Sequence, residues 1–489
     1  MCFKFCVVVF DVLVLGYYFC YGVVRWGTMK NLVLRPTVVS LFAGCGGLDV
    51  GFKSLGYDLI YACDNDPVAV SVYKKNIDER AYVRDVTSDE FHADMRDIGA
   101  CDVILGGFPC QGFSKAGPKK QDDVRNLLYL EMRSAVDRLR PKIFLAENVD
   151  GLSQNFKGAY LQSIVNDFRS IGYRVEYMLF DSVAFGVPQH RRRIYFVGVR
   201  NDLSFEDFEW PEAICLSESR NGESAIPGSG SLFSIRKESL NPPKTIRDAI
   251  GDLVALDRNV ADHRVTNAWS SDWSMIFSKI GVGQKLCNVR HAPSSIHTWD
   301  IPEYFGAVTE KEKSILEAIA KNRRHKKYGS VPNGNPLAVD VIAELTGFSK
   351  VNRELASLLS KGYLKDVGGK FDLKGAMFCS GLYKRPSWDA PSSTVLTNFH
   401  NPRYFLHPQE NRPFSLRECA RLQGFSDDFI FTFSGGDNEL VDGYRLVGNA
   451  VSPPVGLAFA GSIYKFLSKG LEVEVNIGGA LSRREVARV

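Results

Sequence analysis

From residue 37 onward, short apolar runs alternate with helical patterns. Residues 37–42 are a β-branched apolar run that stops at Ala43-Gly44-Cys45-Gly46-Gly47. Residues 48–55 then carry helical spacing. Residues 58–63 form a second apolar run, stopped by Asp64-Asn65-Asp66-Pro67, and a helical pattern covers 68–76. Residues 82–86 read as a third strand carrying Asp85. Val103-Ile104-Leu105 is a fourth strand, ended by Gly106-Gly107. A helix over 126–139, a strand over 143–146 and a strand over 194–199 follow. Such alternation predicts an α/β fold: a Rossmann-like parallel sheet with helices on both faces.

The second half of the chain has another texture. Residues 215–244 shift to Ser, Gly and Pro, the composition of a loop or linker. Thr309 and Glu312 then form a capping box ahead of a helix through Ala320. The basic run 321–327 follows, then a helix over 337–345, a turn at Thr346-Gly347-Phe348 and a helix over 350–359. That last helix sets Val351, Leu355, Leu358 and Leu359 on one face, and residues 363–365 and 370–373 flank the hairpin signal Gly368-Gly369. Three helices and a β-wing suggest a small winged helix-turn-helix over 309–374; an ordinary helical insertion fits the pattern equally.

The first 28 residues are almost wholly apolar and aromatic, broken by Lys4, Asp11 and Arg25. Residues 5–24 have the length of a membrane anchor of about 20 residues. Asp11 near the middle would cost roughly 2.5–3.5 kcal/mol there. The globular pattern begins only after Met29, so the expectation is an extension upstream of the true start, and no membrane association. The remaining expected boundaries are a catalytic domain over 29–204, a target-recognition domain over 205–440, a return to the catalytic domain over 441–472, and a tail over 473–489. Of the 489 residues, 45% are hydrophobic and 24% charged, as in ordinary globular proteins with two or three domains. A net charge of +4 does not announce nucleic acid, so any basic surface must be local. The 11 cysteines are odd in number and lack a C-x-x-C pair. That argues against a disulfide scaffold and a zinc site, and fits a reducing cytosol.

The candidate chemistry sits at predicted strand ends, where α/β sheets place it. Cys110 stands behind Pro109 in the loop Gly106-Gly107-Phe108-Pro109-Cys110-Gln111-Gly112, after the fourth strand. Glu147 follows the strand ending at Ala146. A thiol and a carboxyl group on adjacent strand ends suit covalent catalysis, one attacking and the other handling a proton. In Gln189-His190-Arg191-Arg192-Arg193, alternate residues share a face, so Gln189, Arg191 and Arg193 can point together. Arg in that place suits a phosphate or a base carbonyl. The glycine turn 43–47 brings backbone N–H groups toward a cofactor at a helix start. Asp64, about 20 residues beyond Gly44, is placed to meet ribose hydroxyls, with a helix cap as the alternative. The spacing alone does not separate a nicotinamide dinucleotide from S-adenosylmethionine.

Six ordered motifs together resemble the DNA (cytosine-5)-methyltransferases of bacterial restriction–modification systems. They are Phe42-Ala43-Gly44-Cys45-Gly46-Gly47, Gly107-Phe108-Pro109-Cys110-Gln111, Glu147-Asn148-Val149, Gln189-His190-Arg191-Arg192-Arg193, the run from Arg417 to Phe425, and Val447-Gly448-Asn449-Ala450-Val451. The resemblance covers 38–466 except most of 202–381. Asn65, where many relatives carry an aromatic, and Cys419, where Ala is usual, depart from the pattern. The resemblance implies S-adenosylmethionine as cofactor, held by Phe42 on adenine, Asp64 on ribose, Asp85 and Val86 at the adenine amino group, Gly44, Gly46 and Gly47 in the turn, and Leu128 and Asn449 completing the pocket. It implies Cys110 as nucleophile and Glu147 as proton donor, with Arg193 at the cytosine O2 and Gln189 and Arg191 beside it. It further implies double-stranded DNA as substrate, a separately encoded restriction endonuclease as functional partner, no metal, and a cytoplasmic, nucleoid-associated monomer. The rival readings are an RNA methyltransferase, a non-catalytic DNA-binding relative and a Rossmann dehydrogenase. The long 202–381 region and the intact Cys110, Glu147 and Arg193 argue against the first two.

Overall fold

The computed structural model describes residues 5–9, 12–16, 34–109, 128–154, 159–216, 240–253, 255–257, 259–266, 271–286, 295–331, 334–374, 382–434 and 436–478. Its centre is a seven-stranded sheet. The strands are β1 (Thr37–Leu41), β2 (Asp58–Asp64), β3 (Ala81–Val83), β4 (Val103–Gly106), β5 (Ile143–Val149), β6 (Tyr173–Asp181) and β7 (Arg192–Arg200). Their spatial order is β3-β2-β1-β4-β5-β7-β6. All neighbours are parallel except that β7 runs antiparallel to both β5 and β6. The parallel sheet expected from the sequence is present, with one strand reversed. The connection from β6 to β7, residues 182–191, is shorter than the dozen or so residues a parallel crossover needs, so the chain turns straight back.

Alternate residues along these strands feed two cores. Val38, Leu59, Leu105, Leu145 and Val197 pack with Phe52 of α1 (Asp49–Ser54), Tyr73 of α2 (Pro67–Asn76) and Phe459 near the C-terminus. Val39, Tyr61, Ile104, Phe144 and Phe196 pack with Met95 of α3 (Asp89–Ile98), Val136 of α4 (Leu128–Leu139) and Phe168 of α5 (Ala159–Ser170). The period of two along the strands thus puts helices on both faces. The order reverses between β1 and β4, and there the strand ends open a crevice.

Several boundaries move from their expected places. β3 stops at Val83, so Asp85 stands beyond the strand rather than on it. The unforeseen helix α3 starts there because the Ser88 hydroxyl accepts a hydrogen bond from the Phe91 amide at 3.2 Å. β5 runs on through Glu147 to Val149, so the carboxyl group lies in the strand and not after it. The flanks of the Ser/Gly/Pro segment meet at its base, the Leu216 amide donating to the Asn241 carbonyl at 2.9 Å. Residues 217–239 between them lie outside the described residues. Residues 5–9 and 12–16 pair as antiparallel strands, and no single helix among the described residues is long and apolar enough to cross a membrane.

The insertion after residue 308 holds α6 (Glu310–Asn322), β8 (Leu337–Ala338), α7 (Val339–Thr346), α8 (Asn352–Ser360), β9 (Leu364–Val367) and β10 (Lys370–Leu373). Its sheet has the order β8-β10-β9, and Ile315, Ile319, Ile342, Leu355, Leu358 and Leu373 share one core. The Thr309–Glu312 capping box forms as expected. Further on, α9 (Leu416–Gln423) and α10 (Asp437–Asn449) lead into α11 (Pro453–Gly478). α10 crosses the expected boundary at 440/441, and α11 carries the chain past the expected end of the catalytic domain at 472. Two glycines let α11 return to the sheet. A Cβ on Gly51 would stand 2.1 Å from the Leu457 nitrogen, and one on Gly456 would stand 2.4 Å from the Leu48 carbonyl oxygen. The helix backbones touch there, which no larger residue permits.

Candidate active site

The turn after β1 uses positive φ at Phe42 (54°), Gly44 (57°) and Gly46 (89°). A positive φ at a phenylalanine is uncommon, and such strain gathers at functional sites. Asp64 at the end of β2 holds the turn. Its Oδ2 accepts the Gly44 amide at 2.9 Å and its Oδ1 accepts the Asp66 amide at 2.9 Å. Burial pushes the Asp64 carboxyl pKa up, and those two amides oppose the shift. Asp66, not Asp64, caps α2, accepting from the Val68 amide at 3.0 Å. Asp64 is thereby left lining the crevice.

A cavity of about 520 Å³ opens where these strand ends diverge. Phe42, Gly44 and Gly47 form one wall. Asp64, Asp85 and Val86 form the next, and Leu128 and Asn449 close the pocket. Gly46 does not line it: a Cβ there would stand 2.0 Å from Ile77 Cδ1, so this glycine serves the close packing of the turn on α2. At Gly47 a Cβ would stand 2.2 Å from the Val451 carbonyl oxygen, so the turn and the last motif meet backbone to backbone. The Asp85 carboxylate accepts from both the amide (2.9 Å) and the hydroxyl (2.8 Å) of Thr87, which fixes it at the rim.

The same cavity also holds a charged pair. Glu147 and Arg193 line it and pair with each other, Nε to Oε1 at 2.9 Å. A Cβ on Gly107 would lie 3.7 Å from Glu147 Oε2, so the carboxyl group faces the loop that leads toward Cys110. Asn148 steadies that loop: its buried Nδ2 donates to the Phe108 carbonyl at 3.0 Å, and its Oδ1 accepts the Val149 amide at 2.8 Å. Cys110 itself lies outside the described residues, as does Gln111.

Arg191 is buried at the seam between the sheet and the C-terminal part. Its guanidinium donates to the carbonyls of Asn449 (3.2 Å) and Val395 (3.5 Å), and its Nε finds no partner among the described residues. Burial, and then the charge of Arg193, pull its pKa down to about 9. Gln189 does not join this group. It is fully buried and away from the cavity, with Nε2 donating to Gln423 Oε1 (2.5 Å) and the Leu422 carbonyl (3.2 Å), and Oε1 accepting the Val395 amide at 2.7 Å. The expectation that Gln189, Arg191 and Arg193 point together is corrected. Gln189 precedes β7, where the backbone pairs with Ser392 instead of continuing the strand.

Sequence reasoning missed four participants. Asp49 is buried on the cavity wall with the Ser40 hydroxyl donating to it at 3.0 Å, and burial raises its pKa to about 6. Arg445 lines the cavity and bridges Asp66 and Asp442. Leu396 and Thr397 reach the wall because Gly448 lets the backbones touch: a Cβ there would lie 2.4 Å from the Thr397 amide. The only sequence signal for these is the proximity of Asp49 and Arg445 to motifs already noted.

The donors suit a cofactor of nucleoside type. An aromatic ring, two acidic side chains and a glycine turn with open space beside Gly44 line one cavity. Among the described residues no cluster of three His, Cys, Asp or Glu forms a metal site. Compared with known families, residues 36–465 match the C-5 cytosine-specific DNA methylase family. The chain belongs to this family. The C-5 cytosine-specific DNA methylases similar to it include the Type II methyltransferase M.HgiBI of Herpetosiphon aurantiacus, 30% identical over 86% of this chain and 94% of its own. The Type II methyltransferase M.AgeI of Thalassovita gelatinovora is 30% identical over 87% and 98% respectively. A prophage-encoded DNA modification methyltransferase of E. coli aligns with 88% of this chain and 99% of its own, at 21% identity and a TM-score of 0.47. Membership makes this chain a DNA cytosine-5 methyltransferase of the restriction–modification kind.

Proposed function

We propose that the chain methylates C5 of a flipped-out cytosine in a specific duplex DNA sequence, through a covalent bond between Cys110 and C6. The observation that carries this reading is one cavity joining the nucleoside-type wall at Phe42 and Asp64 to the Glu147–Arg193 pair. S-adenosylmethionine supplies an electrophilic methyl group when bound on that wall. Phe42 would hold its adenine, Asp64 would accept from its ribose hydroxyls and Asp85 would accept from its adenine amino group.

The chain's own residues do the rest. Cytosine at C5 is too weak a nucleophile to take a methyl group. The Cys110 thiolate adds to C6, and Glu147 delivers a proton at N3, so that C5 becomes an enamine-like carbon. C5 takes the methyl group, releasing the cofactor as its thioether; a base removes H5, the thiolate is eliminated and the N3 proton returns to Glu147, which restores the ring. A free thiol has a pKa of about 8.5, so the loop must favour the thiolate or deprotonate it during attack. Arg193 donates to the cytosine O2 and keeps Glu147 oriented toward N3. Asn148 sets the loop that carries the thiol. The duplex hides C6, so the base leaves the stack at a cost of a few kcal/mol. A separately encoded restriction endonuclease is the functional partner, because methylation at its recognition site would protect host DNA from cleavage.

Bisulfite sequencing of DNA from cells expressing the chain tests the reading. Conversion-resistant cytosines should appear in one short sequence context, and disappear with Cys110→Ser. Resistance that persists in the variant would overturn the proposal.

A further inference from the structure

The basic run 321–327 is a local concentration of positive charge in the insertion, and the structure withdraws part of it from the surface. Arg323 is buried, with Nε 2.9 Å from Oδ1 of the buried Asp372 and NH2 donating to Oδ2 at 2.9 Å. Lys321 pairs with Glu317 at 3.2 Å, and the Lys327 ammonium sits over the Tyr328 ring at 4.6 Å. The run therefore ties α6 to the sheet of the insertion as much as it presents charge.

A different surface is free. The order α6-β8-α7-α8-β9-β10 with sheet order β8-β10-β9 is the connectivity of a winged helix-turn-helix. α7 ends at Gly347 in the left-handed conformation, and a short turn leads into α8, as in helix-turn-helix units. α8 buries Leu355 and Leu358, with Val351 just before it, in the core. Its opposite side exposes Asn352, Arg353, Ala356 and Ser360, with Lys350 ahead of it. Small residues on that side let a helix sit deep in a major groove about 12 Å wide. Lys350, Arg353 and the wing's Lys370 make no ion pair among the described residues. Of the carboxylates nearby, Glu354 is paired with Lys311 at 2.9 Å, and Asp366, which accepts the Gly369 amide at 2.8 Å, leaves one negative charge against the three cations. The surface is polar, positive and unpartnered, which complements a polyanion.

We propose that this module is a second duplex-DNA grip, acting outside the methylated sequence. α8 lies in a major groove with Asn352 and Arg353 at base edges, and Lys350 and Lys370 rest on phosphates. Phosphate contacts fix position, while base-edge contacts favour certain flanks. This rests on the DNA reading above.

The test uses the full chain and two duplexes carrying its methylated sequence, one of about two helical turns and one of about six. Asn352→Ala/Arg353→Ala/Lys370→Ala is compared with Lys321→Ala/Arg324→Ala/Lys326→Ala. All six side chains are exposed, and matching melting temperatures confirm folding. The first variant should bind the long duplex at least about tenfold more weakly, the order expected for a lost base-edge contact. Its log–log salt slope should flatten by about 0.9 for each lost phosphate contact. Methylation of the short duplex should be unchanged, and the second variant should bind like wild type. Unchanged binding of the long duplex by the first variant overturns the proposal. So does a change in the methylated sequence, since α8 would then read the target itself. If wild type methylates neither duplex, the DNA reading itself has failed instead.

Discussion

Arg193 Nε lies 2.9 Å from Glu147 Oε1, across the antiparallel pairing of β7 with β5. The pair exists because β7 reverses direction. That reversal brings the last residue of the basic motif beside the carboxyl group, on the cavity side of the sheet. A proton-handling group held this way should matter to chemistry and not to cofactor affinity. Glu147→Gln should slow methyl transfer by about 10²–10⁴-fold. Calorimetric titration with S-adenosylmethionine should show affinity near wild type. A matched loss of affinity would place Glu147 in cofactor binding instead.

Asp64 predicts the opposite split. It holds the Gly44 and Asp66 amides and is proposed to accept from ribose. Charged hydrogen bonds are worth about 1.5–3 kcal/mol each, so Asp64→Ala should weaken cofactor binding by at least about tenfold. Turnover at saturating cofactor should fall much less. The same titration checks it, and a variant that binds normally yet turns over poorly would contradict the assignment.

Much of this site is legible in the amino-acid sequence. The position of Asp64 at the end of β2 follows from an apolar run stopped by an acidic turn, whereas Glu147 lies within β5 and Cys110 lies outside the described residues. Arg193 is legible because it opens a β-branched and aromatic run that forms β7. Gln189 is misplaced when a period of two is extended backward past the strand's start. There the backbone leaves β7 and pairs with Ser392, so the side chain turns into the seam between the sheet and the C-terminal part. The antiparallel strand is not legible either, since direction depends on connection length rather than on side-chain pattern. Arg445 and Thr397 reach the wall through tertiary packing alone, at positions with no local periodic signal. In the insertion, Arg323 belongs to the basic run 321–327, and only its approach to Asp372 shows it to be internal.

Gln189→Ala should therefore act on stability. It leaves the Val395 amide and the Leu422 carbonyl without their buried partner. Each such loss costs about 1–3 kcal/mol. Thermal melts should show a clear drop in Tm, and the rate per folded molecule at low temperature should stay close to wild type. Unchanged melting with lost activity would restore Gln189 to the reacting centre.

Asp49 gives a pH signature. Its carboxyl is raised from 3.8 to about 6 by burial. Between those values the folded chain binds the proton that the unfolded chain has released, so this group's contribution falls as pH rises toward 6 and stays low above it. Asp49→Asn removes that cost and keeps the acceptor for the Ser40 hydroxyl. Urea unfolding should show a gain of roughly 3 kcal/mol at about pH 8 and almost none at about pH 4. An equal effect at both values would contradict burial as the origin of the shift.

The most direct test is the chemical identity of the product. Duplex DNA incubated with the purified chain and S-adenosylmethionine is digested to nucleosides, which are separated and weighed by mass spectrometry. The account predicts 5-methyldeoxycytidine as the one new nucleoside, and none with Cys110→Ser. A methyl group on an exocyclic nitrogen of cytosine or adenine, or the same product from the Cys110→Ser chain, would contradict it.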